Sequence, residues 1–157
     1  MEFTIREYLN TDKNKCIEAF KSNVPIYFSH QEIDDFTKFL ERIENDIDDI
    51  PYYVIAYNQE IIGCGGFAKA KSDEFFSLVW GLVHKDFHNK GFGEKLLSYR
   101  LKKIKQLDSK SKVIIDTTQH SEGFFKKYGF ITKKKTDDYY APGMHRIDME
   151  LKIENKD

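Results

Sequence analysis

The sequence predicts an α/β domain on a mixed sheet, and three features carry that reading. Three β-rich runs between residues 52 and 83 are separated only by short polar connections, the mark of an antiparallel meander. Helical stripes of apolar residues stand before and after it. Short apolar runs then alternate with helical patterns toward the C-terminus.

The elements follow in order. Phe3 and Ile5, with Tyr8 beyond them, alternate with polar residues and give a first half-buried strand. Thr11 or Asp12 is placed to cap a helix running to about Lys21, whose apolar side is Cys16, Ile17, Ala19 and Phe20. Asn23, Pro25 and the Ser29-His30 pair interrupt it. A second helix starts near His30 and carries Ile33, Phe36, Phe39, Leu40 and Ile43 on one face. Residues 46–49 and Pro51 turn the chain into strands at 52–57 and 61–70, joined by Asn58-Gln59-Glu60. A turn at 71–74 leads into a third strand at 75–83. Gly91-Phe92-Gly93 opens a long helix with Leu96, Leu97, Leu101, Ile104 and Leu107 on one face, ended by residues 109–111. A short strand at 113–115 and a helix at 121–128 stopped by Gly129 come next. Strands at 130–135 and 144–153, linked by a loop at 137–143, complete the order βααβββαβαββ. No repeat, low-complexity tract or linker splits the chain, so one domain over residues 1–157 is expected.

Composition narrows the class. Apolar types make up 40% and aromatics 15%, enough for a packed core and unlike a disordered chain. A net charge of -1 and a pI near 6.5 give no global case for nucleic acid or a polyanionic surface as partner. No apolar run approaches the roughly 20 residues of a membrane-spanning helix, and the first residues carry no secretory pattern. Cys16 and Cys64 make neither a disulfide framework nor a four-ligand zinc site, so two free thiols in a reducing cytoplasm are expected.

The segment 83–97 carries the chemistry. A strand runs into a loop with Gly91 and Gly93 and then into a helix N-terminus. Unpaired N–H groups and the helix dipole make such a place an anion cradle, and Lys90 and Lys95 add positive charge. The loop lacks the Gly-Lys-Ser/Thr ending of a P-loop and the third glycine of a dinucleotide fingerprint. A strand–helix turn that needs glycine for geometry alone is the plainer alternative. His84 and His88 are four apart but precede the helix, and no Cys or further His completes a set, so no metal is expected.

Two motifs in order resemble the GNAT superfamily of N-acetyltransferases. Gly91 and Gly93 match its coenzyme-A loop, with His88 where Arg or Gln is usual. Ile115-Asp116-Thr117-Thr118 and Phe124-Phe125-Lys126-Lys127-Tyr128-Gly129-Phe130 match its second signature, and the element order is similar across nearly the whole chain. The resemblance implies transfer of acetyl from acetyl-CoA to an amine by direct attack in a ternary complex. It implies that Leu82, Val83 and Lys85 offer backbone groups to pantetheine, with the Val83 amide at the thioester oxygen. The amides of His88, Asn89, Lys90, Gly91, Phe92, Gly93 and Glu94, beside Lys95, would hold the pyrophosphate, with His120 and Phe125 also next to the coenzyme. Ser77 falls where relatives often carry a Glu base, leaving Glu74, through water, and Asp116 as candidates. Phe125 replaces the usual tyrosine acid. Tyr128 or Tyr140 could serve instead, or the thiolate could leave unassisted, although Tyr128's place before Gly129-Phe130 favours core packing. Tyr27, Phe28, Tyr139 and Tyr140 are the candidate acceptor residues, although Phe36 and Phe39 nearby read as core. The acceptor implied is a small-molecule or peptide amine, and the protein a monomer or homodimer. A non-catalytic acyl-CoA-binding module on the same fold is the alternative.

Overall fold

The computed structural model describes residues 2–72, 74–108 and 111–153. Strand β1 is Phe3–Glu7, helix α1 Lys13–Lys21 and helix α2 Gln31–Glu44. Strands β2 (Tyr52–Tyr57), β3 (Glu60–Lys69) and β4 (Phe75–Val83) form the meander. Then come α3 (Phe92–Leu107), β5 (Lys112–Thr117), α4 (Gln119–Lys127), β6 (Ile131–Ala141) and β7 (Met144–Lys152). All seven strands join one sheet in the order β1-β2-β3-β4-β5-β7-β6. Every pairing is antiparallel except β4 with β5.

Local chemistry explains the connections. Asn58 and Gln59 take φ of 50° and 70°, the left-handed pair that matches a two-residue hairpin turn to strand twist. Gly129, at φ 96°, stops α4 where a side chain would resist that conformation.

The sheet is covered on both faces. Alternation along β2 sends Tyr52 and Val54 to one face and Tyr53 to the other. Cys16, Phe20, Phe36 and Leu40 of α1 and α2 cover the first face, against Cys64 and Leu82. Leu97, Ile104 and Phe125 of α3 and α4 cover the second, against Phe67, Phe76 and Met149. Cys16 and Cys64 are unbridged thiols inside the first layer. The Cys16 thiol is pushed far up by its contact with Cys64 and by burial, which makes it an unreactive core group.

Several sequence expectations need correction. Asp12 does not cap α1; its carboxylate accepts the Leu9 N–H at 2.9 Å and both Arg6 Nη groups at 2.8 and 2.9 Å. Leu107 is 66% exposed, while Phe92 and Arg100 are buried on α3 instead. β5 runs on through Asp116 to Thr117, and β6 reaches Ala141, so Tyr139 and Tyr140 lie on a strand rather than in a loop. Asp73 of the expected 71–74 turn, and Ser109 and Lys110 of the expected helix stop, lie outside the described residues. Among the described residues no helix is long and apolar enough to cross a membrane.

Candidate active site

The parallel pair β4 and β5 is joined only at Phe75–Lys112, Phe76–Val113 and Ser77–Ile114. Beyond Ser77 the strands part. β4 also carries an extra residue there: Val79 pairs with Gly66 and Leu82 with Cys64, so Trp80 and Gly81 face Gly65 alone. A bulge of this kind bends a strand and raises its twist. Trp80 adopts φ 42°, unusual for a large side chain. Its ring packs among Phe20, Phe36 and Phe39 at centroid distances of 5.8, 5.5 and 6.1 Å, and its carbonyl accepts the Tyr52 hydroxyl at 2.7 Å. Between the parted strands lies a cleft of about 770 Å³.

At the end of β4 the His84 N–H bonds Ile62 O at 2.7 Å, which makes Gly63 and Val83 a non-hydrogen-bonded pair. The Val83 amide and carbonyl therefore face away from β3. That carbonyl accepts Asn23 Nδ2 at 3.0 Å and His88 Nε2 at 2.8 Å. A carbonyl has no proton to give, so His88 Nε2 carries one. His88 is thus tied to the strand end, edge-on to the Tyr27 ring at 5.3 Å, and Tyr27 also meets His120 at 5.9 Å.

The loop then turns through Asn89 at φ 60° and Gly91 at φ 86°. Lys95 N–H to Gly91 O, 3.2 Å, is the first bond of α3, which leaves the Phe92, Gly93 and Glu94 amides without partners inside the helix. Gly91, Gly93 and Glu94 line the cleft, with Asn89, His88, Leu82 and Val83. Other expected coenzyme residues stand differently. The Phe92 ring is buried against Tyr57 and Phe87, so its amide alone belongs to the loop. Lys90 Nζ lies 5.5 Å from the Phe87 ring and Lys95 Nζ 5.0 Å from the Phe3 ring, and neither lines the cleft. The Lys85 amide is already donated to Ser22 Oγ at 3.0 Å.

Across the cleft stands a wall of side chains. Tyr140 donates its hydroxyl to Asp116 Oδ2 at 2.5 Å, and Arg146 Nη2 lies 4.0 Å from Asp116 Oδ1. Burial, then the bond to Asp116, pushes the Tyr140 hydroxyl well above its ordinary pKa. Glu32 joins this wall from the first turn of α2, accepting the Ser29 N–H at 3.0 Å. Burial raises its carboxyl above the usual range. Tyr27, Phe28 and His120 complete the rim. Tyr139 is 55% exposed under Arg146, 4.8 Å from its guanidinium, and does not reach the cleft. Glu74 stands at the other end of β4, before the paired stretch, and also lies outside it.

On the α3 and α4 side, Phe125 is buried yet lines the cleft. Tyr128 packs against the core layer, as its sequence position suggests, but at its edge. It is half-buried, lines the cleft and packs edge-on to Phe124 at 5.0 Å, its hydroxyl raised by burial and by Glu94. Thr118 at the end of β5 is 5% exposed, with its hydroxyl unpartnered among the described residues. Beneath the bulge lies Arg100, buried and also lining the cleft. Among the described residues no group of three or more His, Cys, Asp or Glu side chains is arranged to hold a metal; His84 Nδ1 accepts the Asp86 N–H instead.

Glu32, Trp80 and Arg100 were not legible as site residues. Ser29 and Glu32 have capping-box spacing, which assigns Glu32 to the helix end and hides its exposure to the cleft. Arginine in the middle of a helix ordinarily reads as a solvated position.

Residues 25–153 match the family model described as an acetyltransferase (GNAT) domain. The fold is similar to that of a GNAT-family protein from Desulfovibrio desulfuricans, at TM-score 0.80 and 15% identity over 97% of this chain and 99% of that one. It is also similar to the ribosomal-protein-S18-alanine N-acetyltransferase of Escherichia coli, at 0.78 and 14% over 99% and 97%. The yncA protein of Salmonella typhimurium, solved with its cofactor acetyl-CoA, matches at 0.75 and 15% over 100% and 97%. No curated protein sequence matches the chain at a significant level.

Proposed function

The chain belongs to the GNAT acetyltransferase family, and from that premise we propose that its cleft takes acetyl-CoA and passes the acetyl group directly to an amine in a ternary complex. One observation supports this reading above the others. The parted strands open onto a helix N-terminus whose free amides and left-handed Gly91 form an anion cradle beside an outward-facing Val83 amide.

In this reading the amides from Asn89 to Glu94 hold the pyrophosphate, since the His88 N–H is already donated to Lys85 O at 3.2 Å, and Leu82 and Val83 bracket the pantetheine arm. The Val83 amide donates to the thioester oxygen as negative charge grows there, a contribution of roughly 3 kcal/mol for one preorganised donor. The His88 and Asn23 bonds to the Val83 carbonyl hold that amide in place. Glu32 and Asp116 draw in the ammonium of the acceptor and take its proton, which at a reference pKa of about 10.4 must be lost before attack. The amine nitrogen then bonds to the carbonyl carbon, and the C–S bond breaks with its electron pair on sulfur. CoA leaves as thiol or thiolate. Phe125 has no proton to give, and the Tyr140 hydroxyl is already given to Asp116, so of the two tyrosines considered for the acid Tyr128 is the one left. A thiol of pKa near 8.5 also leaves tolerably without help. Tyr27, Phe28 and Tyr140 form the acceptor wall, and Glu74 and Tyr139 have no part.

The test is an amine panel with acetyl-CoA, followed by free-thiol release. Release that depends on the added amine is expected. Binding of acetyl-CoA with no amine-dependent release would instead identify a coenzyme-binding module, and no binding at all would end the reading.

A further inference from the structure

Arg100 is the feature of the cleft that acetyl transfer leaves unused. It is 4% exposed, and among the described residues its guanidinium makes one hydrogen bond, Nη1 to Gly66 O at 3.3 Å. Its Nε has no partner, and no carboxylate among the described residues pairs with it. A buried guanidinium with most of its five donors unmade is costly and is rarely kept without an anion. Burial lowers its pKa only to about 10, so it stays charged at neutral pH.

Two strands make room for it. A Cβ on Gly81 would meet Arg100 Nη2 at 2.8 Å, and a Cβ on Gly65 would meet Nη1 at 3.2 Å. Gly81 is the bulge residue next to Trp80, so the charge sits directly beneath the distortion in β4. Arg100 lines the cleft together with Leu96 and Phe125, and Phe125 belongs to the core layer on the α3 and α4 face of the sheet. The carboxylates of the acceptor wall, Glu32 and Asp116, come from α2 and the end of β5. An acceptor cation is suited to that wall, and an anion to the floor.

Resting on the coenzyme reading above, we infer that Arg100 is the counter-ion for a carboxylate at the far end of the acyl group, so that the protein binds dicarboxylic monoacyl thioesters such as malonyl- or succinyl-CoA. The remaining N–H groups of Arg100 receive that carboxylate in the fork geometry arginine offers. The unpartnered Thr118 hydroxyl is a further open group in the same cleft. Transfer of such a group forms the amide C–N bond and breaks the C–S bond; the pair leaves on sulfur, the amine proton goes to the acceptor-wall carboxylates, and the distal carboxylate is unchanged. An acceptor's own carboxylate is the other source of the same charge, and the donor series separates the two.

Calorimetry of the purified protein with acetyl-, butyryl-, malonyl- and succinyl-CoA, without any amine, tests this. Butyryl and succinyl have the same number of acyl carbons and differ in the terminal charge. We expect malonyl- or succinyl-CoA to bind at least tenfold more tightly than butyryl-CoA, and Arg100→Met to bring that ratio near one. Should that variant not fold, Arg100→Gln, which keeps N–H donors without charge, should also bring it near one. Wild-type protein that binds acetyl-CoA but binds neither malonyl- nor succinyl-CoA more tightly than butyryl-CoA overturns the inference alone. A preference that survives in the folded variants overturns the role of Arg100. Failure to bind acetyl-CoA itself would remove the coenzyme reading as well.

Discussion

The glycine loop proposed to hold the coenzyme and the wall proposed to hold the acceptor line one cleft and are made of different materials. The loop is backbone: free amides at the start of α3, a left-handed Gly91 and the Val83 amide at the strand end. The wall is side chains: Glu32 from α2, Asp116 from β5 and Tyr140 from β6. A site made of backbone depends on a few conformations within one short segment. A site made of side chains depends on three elements meeting. The first should break when backbone geometry is changed, the second when a single functional group is removed.

The largest effect is expected at the wall. Replacing both carboxylates, Glu32→Gln with Asp116→Asn, should lower kcat/KM by about a hundredfold or more, the range for loss of a positioned base. Acetyl-CoA affinity by calorimetry should change little. A double variant with wild-type kcat/KM would mean that the proton leaves by another route.

Next is the loop. Gly91→Val should weaken acetyl-CoA binding by roughly ten- to a hundredfold, because a β-branched residue strongly resists φ near 86°. A Cβ there meets nothing within 4 Å, so strain and not a clash is the cause. Equal affinity in a folded variant would show that the loop does not hold the coenzyme.

A smaller effect separates binding from chemistry within the wall. Tyr27→Ala and Tyr140→Ala should each raise the acceptor KM several-fold and leave coenzyme affinity alone. If both behave as wild type toward the true acceptor, the wall lies elsewhere.

Stability against pH should sharpen the reading of Glu32. Its carboxyl is raised in the folded state, chiefly by burial, so the folded protein holds that proton more tightly than the unfolded chain. This contribution is full below the unfolded pKa and is lost as pH rises through the folded one. Thermal melts from pH 4 to 8 should therefore show wild type losing a stabilising increment that Glu32→Gln lacks. Parallel curves would argue that Glu32 is solvated.

The smallest effect concerns the leaving thiol. Tyr128→Phe should stay within a few-fold of wild type in kcat, and Phe125→Tyr should be neutral or faster. A loss of a hundredfold in Tyr128→Phe, with folding and coenzyme binding intact, would make Tyr128 the acid.

Much of the scaffold was legible because its signals are local. The β-rich runs over 52–57 and 75–83, bounded by polar connections, and the stripe of Phe36 and Leu40 are set by neighbours in sequence. The glycine loop was legible for the same reason, since its conformation and its donors belong to one run of backbone. Less legible were ends and exceptions. β6 outran its expected end at Lys135 because Asp137-Asp138 and Pro142-Gly143 resemble a loop, whereas Thr136 pairs with Arg146 and Ala141 with Met144 on either side of an irregular stretch. Leu107 fits the helical stripe but lies at the end of α3, where the packed sheet no longer covers it.

By itself, then, the sequence determined the order of elements, the antiparallel meander and the glycine-bearing turn into α3 at Gly91 and Gly93, all products of short-range periodicity and backbone freedom. Only the tertiary structure decided which groups share the cleft. Ser29-to-Glu32 spacing encodes a helix end, yet docking of α2 brings Glu32 to a wall with Asp116, 84 positions away in the chain by the difference of their numbers. Arg100 has the local pattern of a surface residue, yet Gly65 and Gly81 on neighbouring strands leave the space that buries its charge. Such placements arise from long-range packing, where the energy of one side chain depends on residues far removed in sequence.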